Sequence, residues 1–419
     1  MTKFKFTKGR DDYYRHFSAV DVGTELIKVL VVRREGPEGV VLGVGREPQY
    51  PDAMEAGAIA NPDRVIDACN RALEASEDMA GVVPGQAVIG IAGELVKGFS
   101  SAVNYPRERP DQRVRESELR NMLQMVERRA LREAQHLLEM ERSYGQMEAR
   151  LVQSAITQVR MDGYPVANPV GYQGTNLEVT VFNTFAPITQ VGAVETVARD
   201  LDLELSGMVA QPYALARACA GDEAWQNGAI FVDVGGGTTD VALLRGGGVE
   251  GIRMFNLGGR AFTRRLSREM GISFEEAEAR KVRHSEGLLT PDQQQQVAML
   301  LAGDVEVLLQ GLNLCLQDLA RGEVLPPNVY LCGGGSLLRD LVNQLMHSAW
   351  WNGLPFAREP SVRRLGPMDV GGLSDATGLL HSAQDVAPMA LANHGLQLES
   401  YERDSLNAVM QGVLKAMKV

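Results

Sequence analysis

Apolar and polar positions alternate in short runs through the first part of the chain, and the same arrangement returns later. Residues 17–32 read as an apolar strand, a turn at Gly23 and Thr24, and a second apolar strand. Residues 228–244 repeat that grammar, with a strand over 229–234, a turn of glycines and threonines, and a strand over 241–244. Two apolar runs bounding a tight glycine turn predict a β-hairpin. In both hairpins an aspartate, Asp21 or Asp233, stands near the end of the first strand. The two copies lie too far apart for a solenoid and predict two related halves that face each other.

The remaining pattern fills in the elements between and after these hairpins. Residues 62–79 carry Val65, Ile66, Ala68, Cys69, Ala72 and Leu73 at helical spacing, and 87–92 form a strand-like run. Residues 107–150 are dense in Arg, Glu and Gln, with Leu119, Met122, Leu123, Val126, Ala130, Leu131, Ala134 and Leu137 on one helical face. A coiled-coil arm is one reading; without a strict heptad, a helix packed on one sheet is preferred. Strand patterns over 152–159 and 177–185, with turn chemistry over 168–174 between them, complete a small α+β module over 85–186, inserted into the first half.

Residues 189–201 read as a helix, and 210–220 as a proline-started, alanine-rich helix fit for close crossing at a hinge. A strand over 249–257 runs into Gly258 and Gly259, which open a helix. That start is an anion position or an ordinary glycine turn. Residues 264–320 read as helices, 328–332 as a strand, and 371–383 as a Gly/Ala-rich helix, a second hinge element. Residues 390–400 look like a linker. Leu406, Val409, Met410, Val413, Leu414 and Met417 then share one helix face, which suits core docking, a partner or an in-plane membrane anchor.

Composition narrows the class. The chain has 419 residues, enough for more than one core, with 45% hydrophobic and 23% charged residues. A net charge of −11 argues against a nucleic-acid partner. Cys69, Cys219, Cys315 and Cys332 form no CxxC and are expected as reduced, buried small hydrophobes. The histidines show no zinc spacing. The basic start lacks an apolar core for a signal peptide, and no long apolar run predicts a membrane span, so the chain reads as cytosolic.

The chemistry concentrates at the glycine turns. Gly235, Gly236 and Gly237 let backbone N–H groups approach an anion, and Thr238 and Thr239 add hydroxyl donors. Asp233 is placed to hold a metal through water. The combination is a phosphate-and-magnesium clamp without a Walker lysine, although a plain polar hairpin would look similar. Gly333 to Ser336 allow a flat ring or ribose to lie against backbone, as do ordinary strand-to-helix turns. Glu278 and Lys281 stand three apart on a helix face, where a solvated ion pair is the simpler explanation.

Five elements in fixed order together resemble the actin/DnaK-like ATPase superfamily. Asp21-Val-Gly-Thr, Gln211-Pro212, Asp233 to Asp240, Gly333 to Ser336 and the segment at Ala376-Thr-Gly378 are similar to its phosphate 1, connect 1, phosphate 2, adenosine and connect 2 motifs. Within it the chain resembles the FtsA family. The insert ends in Asn168-Pro-Val-Gly-Tyr-Gln-Gly174, similar to NPVGLSG; residues 277–284 resemble AEAIKVRHG; and an amphipathic helix closes the chain. PilM proteins of type IV pili, with a related insert, are the second resemblance.

The resemblance implies an α/β actin-like ATPase fold, two related halves around a nucleotide cleft, with an inserted α+β module of the FtsA 1C type. It divides the chain into 1–84 and 187–212 for domain 1, with 85–186 as the insert. Residues 213–262 and 321–386 become the domain 2 core, 263–320 its helical part, and 387–419 the linker and C-terminal helix. It implies ATP held with Mg. Gly23, Thr24, Lys28, Gly235, Gly236, Gly237, Thr238 and Thr239 would line the phosphates, and Gly259 would close that side. Asp21 and Asp233 would orient Mg through water, and Glu278 and Lys281 would contact ribose. Gly333, Gly334, Gly335 and Ser336 would flank adenosine. Implied partners are the FtsZ C-terminal peptide, further copies in filaments, the cytoplasmic membrane surface and later division proteins, at the division site.

One departure matters. MreB-like relatives carry glutamate before the connect 1 proline, where this chain has Gln211. An amide orients water but is no base, so at most slow hydrolysis is expected. A sugar kinase of the same fold is the enzymatic alternative, but no additional carboxylate base stands near these motifs.

Overall fold

The computed structural model describes residues 15–122, 124–125, 128–129, 132, 148–166 and 168–403. Its frame is one strand arrangement used twice. In the first half β1 (His16–Val22), β2 (Leu26–Glu35) and β3 (Glu38–Pro48) form an antiparallel meander. The small β4 (Met54–Glu55) and β5 (Ala58–Ile59) pair follows, then helix α1 (Pro62–Ala80) and β6 (Gln86–Ile91), parallel to β1. In the second half β12 (Ala229–Val234), β13 (Thr239–Arg245) and β14 (Gly248–Phe255) make the same meander. There β15 (Asn328–Cys332) lies parallel to β12, and β16 (Ser361–Arg364) parallel to β15. The first half completes the match with β11 (Glu204–Ala210) parallel to β6.

The inserted strands are β7 (Lys97–Pro106), β8 (Ala149–Met161), β9 (Tyr164–Pro165) and β10 (Asn176–Pro187). They leave the chain from the first half, yet they join the sheet of the second, in the order β16-β15-β12-β13-β14-β7-β10-β8-β9. The junction pairs Gly251 with Phe99 and Ile252 with Gly98. Gly98 permits it, since a Cβ there would sit 2.6 Å from both Ile252 Cγ1 and Phe182 Cζ. Sequence placement alone pointed to the first half. The charged helix starts at Glu116 rather than near 107, and β8 begins at Ala149. Val114, Leu119 and Met122 pack on the insert strands; most of that helix face lies outside the described residues.

Strand alternation sorts the core into layers. Phe17 and Ala19 face a central core, while Val20 and Val22 face an outer one beneath α1 and α2 (Ile188–Asp200). Likewise Phe231 faces the central core, and Ile230, Val232 and Val234 face the second outer core. α1 lies close on the meander because Gly45 has no side chain; a Cβ there would fall 1.8 Å from the Ala72 carbonyl oxygen. Helix α3 (Gln211–Cys219) runs through the central core, and the short α4 (Asp222–Asn227) follows it. Beyond come α5 (Gly259–Met270), α6 (Phe274–Ser285), α7 (Pro291–Ala320) and α8 (Arg339–His347). By length and composition α7 is apolar enough to cross a membrane, but Val297, Leu301, Val305, Leu308, Leu312 and Leu316 pack it into the second half.

The helix expected over 371–383 does not form there. Residues 371–383 hold β17 (Leu373–Asp375), parallel to β3, followed by a turn. Gly372 and Gly378 take positive φ, and the Asp375 carboxylate accepts backbone N–H groups of Thr377, Leu379 and Leu380. Those contacts compete with a helix. Helix α9 (Val386–Arg403) occupies the supposed linker. Met389, Ala390, Leu391, Ala392 and Leu396 are buried in the central core beside α3. The tail positions 406–417 lie outside the described residues.

Of the cysteines, Cys69, Cys219 and Cys332 are buried and Cys315 is partly exposed; all are free thiols whose acidity is suppressed mainly by burial.

Phe182, on β10 of the insert, stacks on Tyr213 of α3 at 4.9 Å between ring centroids. Truncation by Phe182→Ala is expected to cost about 3–5 kcal/mol in urea unfolding. A loss below about 1 kcal/mol would show that the insert does not share the central core.

Candidate functional site

The tips of the two repeated hairpins converge on a cavity of about 510 Å³ between the halves. Each tip is closed by a steric requirement of its own. At the first, a Cβ on Gly23 would lie 2.5 Å from the Leu26 carbonyl oxygen. At the second, Gly235 N–H donates to the Thr238 carbonyl at 2.9 Å. The tips also touch each other: a Cβ on Gly237 would be 2.7 Å from Thr24 Oγ1, and one on Gly236 2.9 Å from Glu25 Cβ. The start of α5 is stapled to the second tip. Gly259 N–H donates to Gly235 O at 2.9 Å, and Arg260 N–H to Gly236 O at 2.8 Å. Those N–H groups are spent on the hairpin, so this helix start is not the open anion position its glycines suggested.

Charge at the floor of the cavity is arranged around one part-buried lysine. Lys28, opposite Asp21 in the β1–β2 register, donates to Asp21 Oδ2 at 3.0 Å. Gln211 Nε2 donates to Asp21 Oδ1 at 2.7 Å. Burial alone would lower the Lys28 pKa, but Asp21, helped by Asp233 and Asp385, raises it. Asp233 lies across β12–β13 from Asp240. Burial pushes Asp233 up to about 6, with Lys28 pulling it down and Asp21 pushing it up. Asp240 is held well above the usual carboxylate range by burial and then by Asp233. Asp240 Oδ1 is buried without a hydrogen-bond partner.

Asp21, Asp233 and Asp240 outnumber Lys28 here, and a bare polyphosphate would add negative charge where burial already disfavours it. A phosphate chain arriving with a divalent cation would be accepted, because the cation favours the ionised forms of Asp233 and Asp240 that burial disfavours. The donor set therefore fits Mg. No group of three acidic, His or Cys ligands is assembled for a directly bound metal among the described residues; Asp21 and Asp233 would hold the ion through water.

The opposite wall is pre-organised. Lys281 Nζ donates to Glu278 at 2.7 Å, to Thr263 Oγ1 at 2.9 Å and to the Gly259 carbonyl at 3.1 Å. The Thr263 hydroxyl donates to the same Glu278 carboxylate. This is more than a solvated i, i+3 pair: it fixes a carboxylate edge facing the cavity. Gly333 takes φ +82°, and a Cβ on Gly335 would be 2.4 Å from Val234 Cγ1, so this wall must be bare backbone. Leu338, Ser382 and Gln384 extend it.

Asp21, Gly23, Thr24, Lys28, Gln211, Asp233, Gly235, Gly236, Thr238, Gly259, Glu278, Lys281, Gly333, Gly334 and Gly335 all line the cavity. Three others do not. Thr239 is the first strand residue, turned inward, and its hydroxyl donates to the Leu257 carbonyl at 2.7 Å. Ser336 caps its own turn by donating to the Gly333 carbonyl at 2.7 Å. Gly237 is taken up by the contact with Thr24. The residue pattern missed Glu25, Asp240, Arg260 and Thr263. Asp240 closed the Asp233 to Asp240 motif, and Arg260 and Thr263 followed the Gly258–Gly259 turn, whereas nothing in the sequence paired Glu25 with Arg260.

Two copies of one sheet, joined through buried helices around a cleft that both hairpin tips enter, define an actin-like ATPase fold. The PilM-PilN type IV pilus biogenesis complex superposes with a TM-score of 0.64 at 18% identity, covering 91% of this chain and 97% of that one.

In sequence the chain is FtsA-like. The family model for Cell division protein FtsA matches residues 230–400. Cell division protein FtsA of Neisseria meningitidis serogroup B is 23% identical over 402 residues, 88% of this chain and 90% of that protein. The Pseudomonas aeruginosa protein of the same name is 22% identical over 363 residues, covering 81% of this chain and 82% of its own length.

The raised Asp233 carboxyl gives a signed pH dependence. Between about pH 4 and 6 the folded chain holds a proton that the unfolded chain releases. This contribution to stability is therefore full below about pH 4 and is lost as pH rises through 6. Asp233→Asn is expected to flatten the thermal-unfolding profile over that window in the ligand-free chain. Parallel profiles for the two proteins would contradict the assignment.

Proposed function

We propose that this chain is an ATP-binding, self-assembling scaffold of bacterial cell division. The reading rests on one observation: both glycine-tipped hairpins, with Asp21, Lys28 and Asp233 beneath them, line the same cleft. Triphosphate with Mg lies across the tips, the ribose hydroxyls meet Glu278 and Lys281, and the base lies against Gly333, Gly334 and Gly335. The likeness to cell division proteins supports the division role; in this reading filaments of the chain bind the FtsZ C-terminal peptide and hold it at the inner face of the cytoplasmic membrane through Leu406, Val409, Met410, Val413, Leu414 and Met417. Later division proteins are further partners.

Hydrolysis is slow in this reading. The Gln211 amide is already committed to Asp21, and an amide cannot take a proton from water. The cleft binds and sets the angle between the halves.

A second reading, a PilM-like component of type IV pilus assembly, is favoured by the backbone match over 97% of the PilM-PilN chain. Retention of the chain by an immobilised FtsZ C-terminal peptide supports the division role; retention by a PilN segment instead supports the pilus role.

Asp233→Ala and Lys28→Ala should each weaken binding of a fluorescent ATP analogue by about tenfold or more. Unchanged affinity would place the site elsewhere. Phosphate release should stay below about 1 per second with or without sugars; sugar-dependent turnover above that would make the chain a kinase. Full-length chain should float with anionic vesicles, and a form ending at Ser405 should not. Equal flotation would remove the tail anchor.

A further inference from the structure

One residue ties the two halves together across the mouth of the cleft. The backbone of Arg260 is fixed to the second hairpin tip, its N–H donating to Gly236 O at 2.8 Å. Its side chain reaches the first: Nε donates to Glu25 Oε2 at 2.6 Å. The guanidinium also donates to the Pro51 carbonyl at 3.4 Å. Arg260 and Glu25 both line the cavity, at the end where Gly236 and Glu25 are in contact. The Arg260 side chain is 11% exposed and that of Glu25 is 39% exposed.

Two physical facts turn this tie into more than a surface ion pair. A half-exposed carboxylate holds an arginine weakly, because water and salt screen it. Glu25 takes a single hydrogen bond from Arg260, whereas a phosphate offers a pair of oxygens in bidentate geometry with more charge and competes well for the same guanidinium. Lys28, Arg260 and Lys281 are the cationic side chains lining the cavity; Lys28 is already bound to Asp21, and Lys281 to Glu278, Thr263 and the Gly259 carbonyl.

Resting on the nucleotide reading above, we propose that Arg260 is a latch that exchanges Glu25 for the outermost phosphate of a bound nucleoside triphosphate. With the cleft empty or holding a diphosphate, Glu25–Arg260 joins the hairpin tips directly. With triphosphate bound, the guanidinium turns to the ligand and the tips are joined through it. Arg260 is thus the residue that distinguishes tri- from diphosphate, and Glu25 is its competitor.

The competition predicts opposite signs for two variants, which loss of a structural ion pair does not. Arg260→Met should lower affinity for a fluorescent ATP analogue by about tenfold, with the matching ADP analogue changed less than about threefold. Glu25→Gln should raise ATP affinity by about threefold and leave ADP nearly unchanged, because it frees the guanidinium. Circular dichroism of both variants monitors the fold. If both substitutions weaken ATP binding, or if ATP and ADP shift equally, the latch is wrong while the cleft stands. If Arg260→Met does not fold, the sign of the Glu25→Gln effect decides alone. Failure of the unaltered full chain to bind either nucleotide would remove the cleft reading and the latch together.

Discussion

The site depends on a buried ion pair that reaches three elements at once. Asp21 is the penultimate residue of β1, Lys28 faces it from β2, and Gln211 arrives from the start of α3. Two charges out of water cost several kcal/mol each by about the usual reckoning, and only close geometry with further hydrogen bonds recovers it. Here the Gln211 amide supplies the further bond. The pair therefore does little for stability by itself. What it does is fix position: the hairpin tip, the strand behind it and the central helix cannot shift independently without stranding a charge.

The acidic excess around that pair explains how the cleft treats its contents. Asp233 and Asp240 are held above the usual carboxylate range chiefly because they are buried. An incoming cation removes the penalty that burial imposes. Polyphosphate alone adds to the repulsion, whereas polyphosphate with its metal relieves it. In the proposed reading, selectivity for the metal complex would follow from the protein's unfavourable charge as much as from its glycine cradles.

Much of this could be read from residues alone, because both hairpins combine two strong local signals, strand alternation and a glycine turn. What escaped has specific causes. Helix α9 is apolar and small on most faces because it is buried between layers, so it lacks the stripe that marks a surface helix and reads as a linker. Thr238 and Thr239 are alike in sequence, and only the start of strand pairing at Val234–Thr239 turns one to the cavity and the other to Leu257. The Glu25–Arg260 tie joins positions with no local relation at all.

The inserted module is continuous in chain with the first half, but its β7 is hydrogen-bonded to β14 of the second. Mechanically it is a strut, anchored by covalent bonds at one end and by a ladder at the other. Any rotation of one half against the other must pass through the residue pairs Gly251–Phe99 and Ile252–Gly98, or carry the whole module with it. A small angle at the cleft floor then becomes a large displacement at the far edge of β9.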